Sequence, residues 1–273
     1  MRARVPWFAP LNPPLADWRG KTAWIVGASS GIGLAVAAAL AARGARVAVS
    51  ARHREALDAL AARHRAAEGE PPRIVVAPLD VTDAEAVQTA HAGLREALAG
   101  TPDFVLLCAG TYAPLRADAF DLGIMARHQQ VNYVGALNVL AAVLPAQLAR
   151  GSGHVSLVAS VAGFRGLPKS LAYGPTKAAL TNLAEVLYAD LHARGLGVSV
   201  VQPGFVETPL TAQNDFEMPA LVSPAQAADA MLAGWARGAF EIDFPRRFTA
   251  WMKLLRVLPY RWYFAAVHRF TGL

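Results

Sequence analysis

The chain has 273 residues, 54% of them apolar, with 26 Lys and Arg, 20 Asp and Glu, and one cysteine, Cys108. This composition supports one large domain with a buried core and excludes a disordered chain, an internal disulfide and a cysteine-rich metal site, zinc included. The formal charge of +6 is local, because residues 244–273 carry six Lys or Arg and no acid while the body is balanced; that argues against a broad nucleic-acid-binding surface and for a local anionic partner.

Residues 1–20 form a Pro- and Trp-bearing arm, expected to be extended and packed on the surface or on a neighbouring subunit. Pro6, Pro10, Pro13 and Pro14 interrupt it before an apolar run develops, so it does not read as a secretory signal. An apolar strand is expected at 22–26, a Gly-rich turn at 27–33 and an Ala-rich helix at 32–43, closed by Gly44. The nineteen uncharged residues 24–42 are as long as a membrane span, but Gly27, Ser29, Ser30, Gly31 and Gly33 divide them into strand, turn and helix. Strands at 46–50 and 73–78 each lead into a helix, at 54–67 and 83–98. A strand at 104–108, a long helical region at 122–150, a strand at 155–159 and a helix from Tyr173 to near Gly195 follow. The pattern ends with a strand at 198–201, a helix at 224–237 and a short strand at 240–243. Buried strands alternating with helices predict an α/β fold: a single-domain, doubly wound parallel sheet of about seven strands with helices on both faces. That domain spans 21–243, and 244–273 reads as a basic amphipathic helical tail.

Two stretches carry chemistry. Gly27-Ala28-Ser29-Ser30-Gly31-Ile32-Gly33 follows a strand and opens a helix, where glycines let a backbone approach a pyrophosphate and the helix N-terminus offers N–H groups to it. Alone, this G-x-x-x-G-x-G spacing is equally compatible with an ordinary tight turn. Tyr173 and Lys177 lie four residues apart, on one helix face. A phenol with a pKa near ~10 is a poor proton donor at neutral pH, and a fixed cation beside it lowers that value, making the pair a general acid or base. Taken alone, Tyr-x-x-x-Lys arises often by chance and is more commonly a solvated helix face.

Gly27 to Gly33, Asp80-Val81, Cys108-Ala109-Gly110, Asn132, Ser160, Tyr173-x-x-x-Lys177 and Pro203-Gly204-x-x-x-Thr208 occur in order and spacing that resemble the short-chain dehydrogenases/reductases, over roughly residues 21–243. The resemblance implies a nicotinamide-dependent oxidoreductase on a Rossmann fold, homo-oligomeric as a dimer or tetramer. It implies that Tyr173 protonates a substrate carbonyl, that Lys177 lowers the phenol's pKa and bonds the nicotinamide ribose, that Ser160 bonds the substrate oxygen and that Asn132 holds a relay water. Cofactor contacts are implied for Gly27, Ser29, Ser30, Gly31, Ile32, Gly33, Ala109, Gly110, Pro203 and Val206, with Asp80 facing the adenine edge, Val81 supplying backbone contacts and Thr208 bonding the carboxamide. Two positions depart from the family pattern, Val26 for its usual Thr and Cys108 for its usual Asn; an apolar contact is expected to replace a polar tie there, with Cys108 a buried small side chain and not a reactive thiol.

The second strand ends Val49-Ser50-Ala51-Arg52-His53-Arg54, with no acid to take both ribose hydroxyls. Arg52 is therefore the expected partner of a 2′-phosphate, favouring NADP(H) over NAD(H). Loops at 111–115, 164–170 and 205–222 offer Tyr112, Phe164, Leu167, Phe205, Leu210, Phe216 and Met218, which favour a lipophilic carbonyl or alcohol, although such loops could equally be lid packing. In the tail, Arg246, Thr249, Lys253, Arg256 and Tyr260 recur at helical spacing, with Phe248, Trp251, Met252, Leu255 and Leu258 opposite. Such a helix suits peripheral contact of residues 246–270 with an anionic membrane; subunit packing and docking of an acidic acyl carrier are the other readings. The expectation is a cytoplasmic enzyme lying on the inner membrane, the alternative a non-catalytic dinucleotide-binding sensor or scaffold.

Overall fold

A computed structural model describes residues 9–66 and 71–271. Seven strands, β1 Thr22–Val26, β2 Arg46–Ser50, β3 Ile74–Val76, β4 Phe104–Leu107, β5 Gly153–Val158, β6 Leu196–Pro203 and β7 Glu241–Phe244, form one sheet in the order β3-β2-β1-β4-β5-β6-β7. Every pairing is parallel. The helices are α1 Gly31–Ala42, α2 Arg54–Arg63, α3 Ala84–Ala97, α4 Leu122–His128, α5 Gly135–Arg150, α6 Tyr173–Leu191, α7 Pro224–Ala236, α8 Arg246–Val257 and α9 Tyr260–Thr271. The expected doubly wound single domain is the fold. Helix α2 stops at Arg63, short of the expected 67, a position that lies outside the described residues.

Both sheet faces are buried, as continuous apolar strands require. Alternation along β1 sends Ile25 toward Val36 and Leu40 of α1 and Met231 and Trp235 of α7, and sends Trp24 and Val26 toward Val87 of α3, Val139 and Val143 of α5, and Leu180 of α6. The direction of winding reverses between β1 and β4, so their C-terminal ends open a crevice, the place where such sheets bind ligands. Residues 1–8 lie outside the described residues, but the rest of the arm packs on its own domain. Asn12 donates its side-chain amide to Val198 O at 2.8 Å and accepts from Val198 N at 2.9 Å, and Trp18 is buried against Phe104 and Trp235.

Beyond β7, α8 and α9 form a helical hairpin whose open end is closed by Trp251 against Phe270, 5.9 Å between ring centroids. Its faces differ from the expected ones. Thr249 is buried and donates to the Asp243 carboxylate, and Lys253 Nζ bridges Glu241 at 2.7 Å and Asp243 at 3.2 Å. Trp251, expected on the apolar side, is 45% exposed. The cause is the acidic ending of β7, which draws the polar groups of α8 to the sheet and turns an apolar stripe outward. Met252 and Leu255 still face inward, against Val161, Phe164 and Tyr263.

Candidate active site

The crevice is built on a backbone contact. Gly27, at φ +97°, lies so close to the end of β4 that a Cβ there would stand 2.5 Å from Ala109 N and 2.7 Å from Cys108 C. Its N–H and that of Ala28 donate to Ser50 O at 2.7 and 3.1 Å, fixing the turn to β2 as well. Gly33 serves the turn itself: a Cβ would stand 2.1 Å from Gly27 O. Where a polar tie is missing, Cys108 N donates to Val26 O at 2.9 Å, and the Cys108 thiol is pushed up to about 11 by burial, opposed by Lys177 and the Gly33 N–H. It stays a protonated, compact side chain at neutral pH.

Apart from Gly33, every residue expected to meet a cofactor lines this one cleft. Ser30 precedes α1 without capping it through its side chain, so the helix opens into the cleft with its first turn available to an anion. Arg52 and His53 form the exposed rim at the end of β2. Asp80 is held low by the Thr82 backbone N–H at 2.9 Å, helped by the Thr82 hydroxyl at 2.8 Å and by Arg52 and Arg127. Val81 spends its carbonyl on Asn138 at 2.8 Å, so its N–H and side chain are what it can offer a ligand. Thr208 reaches across to Gly31, where a Cβ would stand 2.7 Å from Thr208 Cγ2.

At the other end, Tyr173 opens α6 and Lys177 follows one turn later, its Nζ 5.4 Å from the phenol ring centroid. Lys177 is buried and donates to Val158 O at 2.8 Å; burial holds it down to about 8. The spacing predicts a lowered phenol pKa, but burial pushes Tyr173 upward, against the hydrogen bond from Ser160. Desolvation outweighs the Ser160 hydrogen bond, and the neighbouring Cys108 and Tyr112 push the same way. Ser160 lies two residues past the end of β5, and its backbone N–H donates to Gln202 Oε1 at 3.1 Å. Asn132 is buried in a wide helical turn, Gln129–Val134, that joins α4 to α5. Its Oδ1 accepts from Thr111 N at 2.7 Å, and its Nδ2 donates to Thr111 O and Thr176 Oγ1, both at 3.0 Å. Asn132 thus clamps the loop after β4 to α6. Gly110 sits between, where a Cβ would stand 3.4 Å from Asn132 Oδ1 and 3.7 Å from Lys177 Nζ.

Sequence reading misses four residues here. Gln202 is fully buried, holding Ser160 N with one end and Thr181 Oγ1 with the other at 3.0 Å; a lone amide inside an apolar strand was its signal. Thr176, inside the Tyr-x-x-x-Lys stretch, supports Asn132. His128 accepts from Ala113 N at 3.0 Å, and Arg127 lines the cleft beside Asp80; a helix gives neither away by pattern. Of the substrate-loop residues, Tyr112 packs edge-on to Tyr173 at 5.2 Å and donates to Asn214 Oδ1 at 2.9 Å. Phe164 and Leu167 instead pack under α8 and α9.

The residues present fit a nicotinamide dinucleotide: a backbone cradle with no room for a Cβ, an uncapped helix N-terminus, and a cationic rim at one end with a phenol and ammonium at the other. The sequence matches the family described as short chain dehydrogenase over residues 21–218. An uncharacterized oxidoreductase of Myxococcus xanthus is 37% identical over 93% of this chain and 99% of its own length. Another, from Mycobacterium tuberculosis, is 33% identical over 86% of this chain and 91% of its own. Among solved structures, a short-chain dehydrogenase/reductase from Burkholderia phymatum in complex with NAD shares the fold, with TM-score 0.79 and 24% identity over 88% of this chain and 94% of that one. A short-chain dehydrogenase from Streptomyces avermitilis gives TM-score 0.74 and 25% identity over 85% and 91%. Glycine-rich turn, Tyr173 beside a buried Lys177, sheet order and kinship agree: the chain belongs to the short-chain dehydrogenase/reductase family and is an NAD(P)-dependent oxidoreductase.

Proposed function

We propose that the enzyme uses NADP(H) to interconvert a lipophilic ketone and its secondary alcohol, as a homo-oligomer in the cytoplasm. The observation that carries this reading is the half-buried Tyr173 phenol, beside Ser160, one turn from Lys177 and faced by the Tyr112 ring. Because burial keeps the phenol protonated, Tyr173 enters the reaction as an acid. During reduction its Oη gives a proton to the substrate oxygen, and during alcohol oxidation it takes one back. Ser160 Oγ donates to the same oxygen, and Gln202 fixes the strand end that aims it. Lys177, positively charged below about 8, stabilises the phenolate left behind. Asn132 holds the loop after β4, and with it Gly110, at the height of Lys177. When bound, the cofactor supplies or accepts the hydride at the carbon. Its pyrophosphate would rest on the turn from Ser29 to Ile32, and Arg52 would pair with the 2′-phosphate where an acid would repel it. The lipophilic preference rests on Tyr112 and Leu210 and on the scarcity of charge beside Tyr173.

The test is NADPH consumption over ketones and 3-oxoacyl compounds of rising chain length, with Tyr173→Phe and Arg52→Gln beside the native enzyme. Rates should rise with chain length; Tyr173→Phe should abolish turnover while sparing NADPH binding, and Arg52→Gln should weaken NADPH but not NADH. Saturable NADPH binding without turnover of any carbonyl would overturn the reading in favour of a dinucleotide-binding sensor.

A further inference from the structure

The inward faces of α8 and α9 are accounted for by Thr249, Met252, Leu255 and Tyr263. Their outward faces are not. Among the described residues, seven of the thirteen exposed large apolar side chains fall within residues 251–270: Trp251, Leu254, Val257, Tyr260, Trp262, Phe264 and Phe270. Exposure concentrated this way marks an interaction surface. Five arginines accompany it, Arg246, Arg247, Arg256, Arg261 and Arg269, all exposed, with no acid anywhere in residues 244–273. On α8, Arg247, Trp251, Leu254 and Val257 follow one another at helical spacing along one outer stripe.

We propose that the α8–α9 hairpin docks on an anionic lipid surface. Aromatic rings that are apolar in body and polar at one end, interleaved with arginines, match the chemistry of a bilayer interface. Helices of 12 residues each are too short to span one, so the hairpin lies on the surface. A second copy of the chain is the poorer occupant, since a twofold interface would bring the same five arginines against themselves. The hairpin is also keyed to the active site. Arg165, in the loop after β5, donates to Leu258 O at 2.6 Å and to Leu255 O and Arg256 O at 3.4 Å, closing the free carbonyls at the end of α8. Its guanidinium stacks 4.1 Å from the Tyr263 centroid and 4.5 Å from that of Tyr260, while Tyr263 Oη donates back to Gly166 O at 2.7 Å. Phe248 meets Phe205 of the loop after β6, 5.7 Å between centroids. The docked face is thereby fixed to two of the loops that border Tyr173. Loading of the site from the bilayer rests on the lipophilic-substrate reading; docking does not.

The test is flotation of the full chain with vesicles of phosphatidylcholine alone, or with phosphatidylglycerol in a two-to-one ratio, at low and high salt. Native protein should float with the anionic vesicles only, lose that binding as salt rises, and show a blue shift in tryptophan emission. Trp251→Glu with Trp262→Glu should abolish flotation, and Arg261→Gln with Arg269→Gln should weaken it roughly 25-fold, about fivefold per arginine; all should keep native NADPH binding as a control for folding. No flotation with anionic vesicles at low salt, or undiminished flotation of the double-Glu variant, would overturn the proposal. So would a native oligomer that the double-Glu variant dissociates, since a second copy would then cover this face. Docking without turnover of lipophilic ketones would overturn the substrate reading alone, and turnover of them without docking the reverse.

Discussion

The contact between Gly27 and Ala109 allows a test with an internal control. Gly27→Ala would place a methyl 2.5 Å from Ala109 N, at φ +97°. Gly151, at the end of α5, also has a positive φ, +68°, but nothing lies within 4 Å of its would-be Cβ. Both substitutions incur the left-handed penalty of an L residue, about 1–2 kcal/mol. Only Gly27→Ala must also separate two packed backbones, which by analogy with overfilled cores adds about 1–3 kcal/mol. Gly151→Ala should therefore lower the stability read from urea unfolding by the smaller amount, and Gly27→Ala by about 2–5 kcal/mol in all. Because the same turn is the proposed seat of the pyrophosphate, Gly27→Ala should also weaken NADPH binding, measured by quenching of protein fluorescence, while Gly151→Ala leaves it alone. Equal destabilisation of the two variants, within about 0.5 kcal/mol, would refute the steric argument and leave backbone conformation as the whole effect.

Two further outcomes follow from buried groups. Gln202→Leu should strand the Ser160 N–H, at about 1–3 kcal/mol, while the Thr181 hydroxyl keeps its bond to Lys177 O, and lower kcat with little change in NADPH affinity, read by steady-state kinetics beside urea unfolding. His154, buried beside Ser199, is pushed down to about 3 by burial from an ordinary 6.5. The native state keeps this imidazole neutral where the unfolded chain takes up a proton, so stability contributed by the neutral form is lost as pH falls from 6.5 toward 3, by about 1.4 kcal/mol per unit. His154→Gln should flatten that dependence by one proton in urea midpoints taken across the range; an unchanged slope would remove His154 as its source.

The sheet was legible because each strand is a short apolar run set between turn residues, so 22–26 and 46–50 coincide with β1 and β2 to the residue. Strand β6 is longer than expected, because Leu196 and Gln202-Pro203 extend it past the apolar centre. The residues that the fold gathers in one cleft were legible through spacing, as with Tyr173 and Lys177, where one helical turn does the positioning. What spacing does not carry is the partner each group already has. Lys177 looks like a cation free to act on Tyr173 until the fold gives it Val158 O, and burial then sets the direction of both pKa values. The faces of α8 were misread for a related reason: helical periodicity defines a stripe, but Glu241 and Asp243, on β7 and outside the helix, decide which way it turns.

The Asn12 side chain acts as one residue's worth of strand. Val198 lies in β6 ahead of the first β6–β7 pair, Val200 with Glu241, and its backbone groups on that side are met, among the described residues, by the Asn12 amide, oxygen to N–H and nitrogen to carbonyl. The arm therefore does more than add buried surface. It withholds from other chains a stretch of open ladder that would otherwise be a template for intermolecular pairing. A chain shortened past Asn12 would keep its catalytic groups and lose that protection, so its failure would show as self-association on storage before it showed as lost turnover.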